Sequence, residues 1–315
     1  MAIDESWAAT AYWNQRRRLS ESMGRIRALF DAVDRPVDLS AYQWAQLMSV
    51  ALEFEPDLIL ELGRGVGNST CAFTEAAYMI SRGKCEVLSV CFSTDWESTR
   101  KRILSVVSSE WFDPLRIETA DILEYDFASA LRGFERVLVF WDAHGYDVAE
   151  CVLGSILPQI HKKPHIILMH DLSDSRYIAD DSYFQYGENG LWRANTWEGP
   201  SLAIGNIRSK VEQSVSILDF TTRNRIPLYS ADHGLHLFFD KDEQKAREMK
   251  DLLGEAFFSL QAHWFWFTLS EKLGPFTFPR FTYKAKKPMK LGLIRRLIIA
   301  ARIILGRFPM EKLVK

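Results

Sequence analysis

Two apolar runs of the chain end in side chains that could do chemistry. The run Val137–Trp141 is followed by Asp142 and His144, and a later apolar run is followed by His170 and Asp171. Carboxylates bind hard metal ions, and an imidazole can take up a proton near neutral pH. In an open parallel sheet, the carboxyl ends of the strands form the binding crevice. The pattern therefore predicts that these four side chains meet at one site.

Removal of a proton from a hydroxyl group is chemistry that this set could support. A positioned base contributes about 10²–10⁴-fold, and a cation that stabilises the developing alkoxide adds further acceleration. His144 is the candidate base, with Asp142 as the second catalytic residue. Two carboxylates suit Mg²⁺, whereas ligation by His170 would favour manganese, iron or zinc. Structural capping and metal-free substrate binding by the carboxylates are the alternatives.

A second chemical signal is a glycine-rich turn after the apolar run Leu58–Leu62, near Glu61. Glycine lets the backbone approach a ligand closely, and the start of a helix offers unpaired N–H groups to it. The spacing satisfies neither G-x-G-x-x-G nor the phosphate-binding loop, and a tight strand-to-helix turn is the alternative. Glu61 could accept from a cationic or hydroxyl-bearing ligand. The residues assigned to ligand binding here are Glu61, Gly63, Gly65, Gly67, Asn68 and Ser69.

This turn resembles motif I of class I S-adenosylmethionine-dependent methyltransferases, in which an acidic residue precedes glycines at alternate positions. The resemblance implies that the loop lies beside the methionine part of the cofactor. It also implies an acidic residue at the end of the second strand, for the ribose hydroxyls. The run Val87–Cys91 does not end in one, and the nearest carboxylate is Asp95. Asp121 fits the family's acidic position near the adenine amino group, and its alternative role is to cap a helix.

The carboxylates at the strand ends resemble those of metal-dependent O-methyltransferases. The catechol type is similar, and the macrocin-like and cephalosporin-hydroxylase-like sugar group is more closely similar. The resemblance implies a divalent cation, usually magnesium, with Asp142 and Asp171 as ligands and His170 or Asp174 completing the set. The catechol type has Asn where Leu172 stands, and it has a lysine base that is absent here.

The elements that must position these residues alternate between short apolar runs and helical stretches. Helices are expected over 5–33 and 39–54, and the alternation that follows is typical of a parallel sheet covered on both faces. The prediction is an α/β protein: a doubly wound, mostly parallel Rossmann-like methyltransferase sheet with N-terminal helices and a C-terminal amphipathic helix. The expected strands are Leu58–Leu62, Val87–Cys91, Leu115–Glu118, Val137–Trp141, Ile166–Met169, Val215–Phe220 and Leu235–Phe239.

Three segments are predicted along the chain: N-terminal helices over 1–55, the cofactor-binding domain over 56–240, and a helical, basic amphipathic tail over 241–315. Within the second segment, residues 172–200 are polar and aromatic, as is typical of a lid. Arg193 and its aromatic neighbours could line an acceptor site there. Five histidines have no other candidate catalytic residue beside them in the sequence and are expected to be structural: His161, His165, His233, His236 and His263.

Charge is distributed unevenly along the 315 residues, of which 47% are hydrophobic and 25% charged. The net charge of −2 conceals a stretch from 280 to 315 with eleven Lys and Arg against one Glu. Its arginines make a membrane span too costly. Their segregation from most of the Leu and Ile residues, with Ile299 and Ile303 on the arginine side, is typical of an interfacial helix. Docking of this helix on the domain or on another subunit is the alternative. The cluster Trp264–Phe267 could be an interfacial anchor or core, and nucleic-acid binding is not expected.

Four cysteines without a C-x-x-C pair, and the lack of a signal-peptide pattern, favour a cytoplasmic protein. Residues 285–315 could place it at the inner face of the membrane. The predicted reaction moves a methyl group from S-adenosylmethionine to a hydroxyl of a saccharide or glycan precursor, assisted by a divalent cation, with Mg²⁺ favoured. The alternatives are an oxygenase or hydrolase on the same scaffold and a non-catalytic cofactor-binding scaffold subunit at a membrane.

Overall fold

A single mixed sheet forms the centre of the chain in a computed structural model. The structure describes residues 4–36, 38–80, 84–170, 172, 206–270 and 274–282. The strands are β1 (Leu58–Leu62), β2 (Glu86–Cys91), β3 (Leu115–Thr119), β4 (Val137–Trp141), β5 (His165–His170), β6 (Tyr229–Ser230) and β7 (Trp264–Phe267). Their order is β3-β2-β1-β4-β5-β7-β6.

The first five strands are parallel, whereas β7 runs antiparallel to both β5 and β6. The chain winds outward from β1 to β3 and then continues on the other side of β1 with β4. The strand order thus reverses between β1 and β4, where open α/β sheets bind their ligands. The predicted α/β class, with a doubly wound and mostly parallel Rossmann-like sheet, is confirmed.

Helices cover both faces of the sheet. Between α7 and α8 the chain continues as a π-helical segment, Val152–Ile156. The helices are α1 (Trp7–Asn14), α2 (Arg16–Val33), α3 (Ala41–Phe54), α4 (Asn68–Ile80), α5 (Trp96–Ile103), α6 (Phe127–Ala130), α7 (Tyr146–Cys151), α8 (Leu157–Ile160), α9 (Asn206–Arg223), α10 (Ala231–Phe239) and α11 (Glu243–Leu253).

Two hydrophobic clusters lie on opposite sides of the sheet, because successive strand residues point to opposite faces. In β1, Ile59 joins the cluster that also holds residues of α1 to α4, α10 and α11. Its neighbours Leu58 and Leu60 join the cluster formed with α6 to α9. The N-terminal helices therefore share a core with the sheet, although the sequence predicts them as a separate segment.

Two of the predicted strands are helices. Val215–Phe220 lies within α9 and Leu235–Phe239 within α10. A short apolar run does not distinguish a buried strand from the buried face of a helix, and this ambiguity explains the error. The predicted boundary at 240 also needs correction, since β7 lies between β5 and β6 in the sheet. Trp264 and Trp266 of β7 are buried, so this aromatic cluster belongs to the core.

Several predictions fall outside the described residues. These are the lid-like stretch beyond Leu172, including Arg193, and the basic tail 285–315. No helix in the described ranges is long and apolar enough to span a membrane. All four cysteines are described, buried and unpaired with one another.

Candidate functional site

A cavity of about 1130 Å³ opens at the carboxyl ends of the central strands. It extends from the turn after β1, past the end of β2, to the residues that follow β4 and β5. Most of the predicted site residues line it: Gly63, Gly65, Asn68, Ser69, Asp95, Asp121, Asp142, His144 and His170. Glu61 and Gly67 are not among the lining residues, whereas His263, which the sequence predicts to be structural, is.

The three glycines of the turn all have positive φ, but for different reasons. A Cβ on Gly63 would lie 2.3 Å from the carbonyl oxygen of Asp142, so the β1 turn and the end of β4 approach too closely for a side chain. A Cβ on Gly67 would lie 2.2 Å from the Trp96 ring. Around Gly65 nothing lies within 4 Å of such a Cβ, because this glycine faces the cavity.

Glu61 is wholly buried and hydrogen-bonded within the protein. Its carboxylate accepts hydrogen bonds from the hydroxyls of Ser69, Thr70 and Ser89, the Thr70 contact measuring 2.6 Å. Burial raises the pKa of Glu61, and the three hydroxyls oppose that shift. Glu61 therefore joins β1, α4 and β2 behind the glycine turn, which differs from the predicted direct contact with a ligand.

Asn68, the first residue of α4, holds a segment of the N-terminal region against the turn. Its amide nitrogen donates to the carbonyl of Arg35 at 2.7 Å, and its amide oxygen accepts from the Trp44 indole. Arg35, Asp38 and Leu39 consequently form one wall of the cavity. The sequence pattern around Asn68 gives no sign of this contact, because the partners lie about 30 residues earlier.

Arg64 is a lining residue that the sequence reasoning missed. Its guanidinium is buried and donates to the carbonyls of Ser89 at 3.0 Å and Ser93 at 3.1 Å, which ties the turn to the end of β2. Asp95 lies exposed on the same loop, where α5 begins. Asp121 accepts a hydrogen bond from the backbone N–H of Leu123 at 2.9 Å in a turn, so it caps no helix, and it also lines the cavity.

At the other end of the cavity, two imidazoles flank the carboxylate of Asp142. His170 Nδ1 lies 3.4 Å from Asp142 Oδ1, and His144 Nε2 lies 3.9 Å from the same oxygen. His170 is almost completely buried, whereas Asp142 and His144 are partly exposed to the cavity. The structure thus brings together three of the four residues predicted to meet here, and Asp171 lies outside the described residues.

Gln43 of α3 determines how His170 is held. Its amide oxygen accepts from the backbone N–H of Ser40 in a capping box, and its amide nitrogen donates to the carbonyl of Ala262 at 2.7 Å. These contacts fix the amide orientation, so the nitrogen 3.2 Å from His170 Nε2 donates to the ring. A neutral His170 then carries its hydrogen on Nδ1, toward Asp142.

This arrangement bears on the predicted metal site. With Nε2 accepting from Gln43 and Nδ1 protonated, His170 fits a role in holding Asp142 better than the predicted role as a metal ligand. Within the described ranges, no group of three His, Cys, Asp or Glu side chains is placed to bind a metal ion. Asp171 and Asp174 lie outside those ranges, so the predicted ligand pair is represented there by Asp142 alone.

No protein-family model and no curated protein matches the sequence. Among solved structures, the SAH-bound methyltransferase PaMTH1 of Podospora anserina is similar with a TM-score of 0.46 and 15% identity, over 77% of this chain and 88% of that one. The O-methyltransferase TomG of Streptomyces achromogenes, in complex with SAM, has a TM-score of 0.40 and 14% identity, over 64% and 80%. An O-methyltransferase from Bacillus cereus, in complex with SAH, has a TM-score of 0.40 and 15% identity, over 66% and 82%. Likeness at this level assigns no activity to the chain.

Proposed function

We propose that this protein is an S-adenosylmethionine-dependent O-methyltransferase. One observation carries the proposal: a single cavity joins the glycine turn after β1 to a carboxylate and an imidazole at the end of β4. The turn provides space for a ligand at Gly65, and Asp142 and His144 provide the groups for proton transfer from an acceptor. The topological switch between β1 and β4 lies directly beneath both.

The cofactor's parts are assigned by the resemblance and by the residues available. The methionine part would lie along the turn at Gly63 and Gly65, the ribose near the loop that contains Asp95, and the adenine near Asp121. Arg64 holds the turn and the ribose-side loop together, so the two halves of this binding surface are expected to move as one. When bound, S-adenosylmethionine supplies a methyl group on a sulfonium, which is reactive toward an oxygen nucleophile.

His144 is proposed to take the proton of the acceptor hydroxyl as that oxygen forms its bond to the methyl carbon. The oxygen–hydrogen bond breaks and its proton moves to Nε2. The bond between the methyl carbon and the sulfonium sulfur would break with its electron pair left on sulfur, so the products would be a methyl ether and S-adenosylhomocysteine. The Asp142 carboxylate, 3.9 Å from Nε2, stabilises the imidazolium that results. Holding the two reactants beside each other lowers the barrier further, because their relative freedom is lost on binding.

We propose a saccharide or glycan precursor as the acceptor. In addition to its site residues, the cavity is lined by polar side chains that suit a polyhydroxylated molecule, among them Arg35 and Asp38. A divalent cation held by Asp142 together with Asp171 remains part of the proposal, and the steps assigned to His144 do not depend on it.

Calorimetry with S-adenosylmethionine and with S-adenosylhomocysteine tests the first step. Both ligands are expected to bind, and failure of both to bind would remove the enzyme proposal. Transfer of a radiolabelled methyl group to a panel of glycans and glycolipids then tests the acceptor class. Cofactor binding without transfer to any hydroxyl acceptor would favour the non-catalytic scaffold instead.

Cation assistance is tested by the same transfer assay after treatment with a chelator. If a cation takes part, chelation and Asp142→Asn should each lower turnover, readdition of Mg²⁺ or Mn²⁺ should restore the wild type only, and cofactor affinity should stay unchanged. A chelated wild type with full turnover would contradict the cation and leave the base chemistry in place.

We also propose that residues 285–315 bind an anionic membrane surface from the cytoplasmic side. The support is their sequence: four arginines share one arc of a helical wheel, opposite most of the leucines and isoleucines, while Ile299 and Ile303 fall on the arginine side. The protein should float with vesicles that contain anionic lipid, and replacement of Arg295, Arg296, Arg302 and Arg307 by Gln should reduce that flotation. Equal partitioning of both proteins would contradict the proposal.

A further inference from the structure

A glutamine that sequence reasoning did not single out contacts the proposed base. Gln213, on α9, is fully buried, and its amide oxygen lies 2.7 Å from His144 Nδ1. We infer that Gln213 is a positioning residue: it holds His144 in the tautomer that carries hydrogen on Nδ1 and therefore has its basic lone pair on Nε2. This inference rests on the proposed function and adds to it the device that prepares the base.

The chemistry of the contact determines the tautomer. In the amide orientation of the structure, Gln213 presents its oxygen to the ring, and an oxygen that accepts pairs with a ring nitrogen that carries the hydrogen, here Nδ1 at 2.7 Å. Nε2, on the other side of the ring, is the atom that faces Asp142. The opposite tautomer would place two lone pairs against each other at a buried position, which loses the hydrogen bond and leaves polar atoms unsatisfied.

The burial of Gln213 makes this contact the dominant one for its side chain. Among the described residues, its amide nitrogen has no hydrogen-bond partner, although the side chain is completely excluded from solvent. A buried amide without hydrogen bonds is costly, so the bond to His144 offsets part of that cost.

The two glutamines of the site act with opposite polarity. Gln43 presents its amide nitrogen to His170 and so places that ring's hydrogen toward Asp142. Gln213 presents its amide oxygen to His144 and so places that ring's lone pair on the Asp142 side. One carboxylate therefore lies between a ring nitrogen that carries a hydrogen, His170 Nδ1, and a ring nitrogen that carries a lone pair, His144 Nε2. This asymmetry selects His144 as the group able to take a proton.

The tautomer can be measured by nitrogen-15 NMR of the histidine side chains. The experiment uses the full-length protein at a pH where the rings are neutral. The His144 signals are identified by their absence from His144→Ala. The wild type should show a protonated Nδ1 and an unprotonated Nε2. In Gln213→Leu the Nε2–H form should appear, and kcat should fall about 10- to 100-fold with KM for the methyl donor unchanged, because the base is present in its active form only part of the time.

Two further variants separate positioning from folding. Gln213→Glu keeps an oxygen acceptor, so it should retain the wild-type tautomer and most of kcat. Gln46→Leu removes another buried glutamine, one that donates to the carbonyls of Ser259 and Gln261, and it should leave the His144 signals unchanged. If Gln213→Leu does not fold, Gln213→Asn serves in its place. Asn keeps the polar amide but is one methylene shorter, so its oxygen is withdrawn from His144 Nδ1 and the Nε2–H form should again appear.

The outcomes distinguish this inference from the proposed function. A wild-type spectrum with hydrogen on Nε2, or a Gln213→Leu protein with unchanged His144 signals, overturns the inference even if methyl transfer is found. A protein that binds no methyl donor but has the expected tautomer, lost in Gln213→Leu, overturns the function and leaves the positioning role standing. Loss of kcat in Gln213→Leu with the tautomer intact also contradicts the inference.

Discussion

The two ends of the cavity are built in different ways. At the glycine turn, backbone conformation and contacts within the protein set the shape: Gly63 lies against the backbone of Asp142, and Glu61 is occupied by three hydroxyls. At the end of β4, His144 from the same loop and His170 from β5 flank the Asp142 carboxylate, and Asp142 and His144 remain partly exposed. The first end is a preformed surface, and the second is a set of groups that can exchange protons.

The difference indicates which changes each end tolerates. Backbone proximity cannot be adjusted by rotamer changes, so the turn should respond to added volume more than to altered charge. The Asp142 end depends on which imidazole nitrogen carries a hydrogen. It should therefore respond to substitutions that change hydrogen-bonding groups but keep the side-chain volume. The following predictions test this contrast, and they begin with the largest expected effect.

Loss of the base should have the largest effect on turnover. His144→Ala removes the group proposed to take the acceptor proton, so kcat should fall about 10²–10⁴-fold while the dissociation constant of S-adenosylmethionine stays the same. Steady-state kinetics and calorimetry measure the two quantities. His161→Ala is the matched control, since His161 lies outside the cavity and bonds the carbonyl of Pro158. Full activity of His144→Ala would mean that the second end of the cavity does no acid–base work.

Added volume at the turn should destabilise the fold. In Gly63→Ala the new Cβ meets the Asp142 carbonyl oxygen at 2.3 Å and the residue keeps a positive φ, so the free energy of unfolding should drop by about 3 kcal/mol or more. Gly65→Ala shares the positive φ but meets nothing within 4 Å, and it should cost only about 1–2 kcal/mol. Urea denaturation compares the two variants. Equal losses would show that the close approach of β1 and β4 does not constrain the turn.

The same contrast explains how much of the site the sequence could predict. The sequence predicts the turn, Asp142, His144 and His170 because each lies at or just beyond the end of an apolar run, and topology brings such positions to one edge. Gln43, Arg64 and Gln213 were missed because a glutamine on a helix or an arginine in a turn looks like an ordinary surface residue. Their importance depends on packing between segments far apart in the chain. The misassigned strands, such as Leu235–Phe239, failed for a local reason, since apolar runs of that length fit both elements.

The amino end of β5 offers a counterpart to the end that carries His170 and faces the cavity. His165 donates from Nδ1 to the carbonyl of Lys163 and accepts from the N–H of Leu269, so the buried ring is neutral. Burial lowers the pKa of His165 from 6.5 to about 4. The unfolded chain therefore binds a proton that the folded protein excludes, and stability should fall as pH decreases from about 6.5 toward 4.

The expected loss is about 2 kcal/mol between about pH 7.5 and pH 5, measured by urea unfolding. His165→Gln, which offers a donor and an acceptor without the titration, should have a flatter profile over that range. His161→Gln serves as the control and should follow the wild type. If the stability of His165→Gln depended on pH as steeply as that of the wild type, other groups would cause the pH dependence. His165 would then not be the neutral, structural counterpart of His170.

Charge changes at the rim of the cofactor end should have the smallest effect. Asp95→Asn weakens a hydrogen-bond acceptor placed near the proposed ribose site, so the affinity for S-adenosylmethionine should fall about three- to tenfold. Asp121→Asn should have less effect, because an Asn side chain can also accept the bond that Leu123 donates. Calorimetry compares the dissociation constants of S-adenosylmethionine for the two variants. Neither substitution should disturb the fold, because both residues are exposed. If either variant lost a hundredfold in affinity for S-adenosylmethionine, recognition of the cofactor would depend mainly on charge and not on the shape of the backbone.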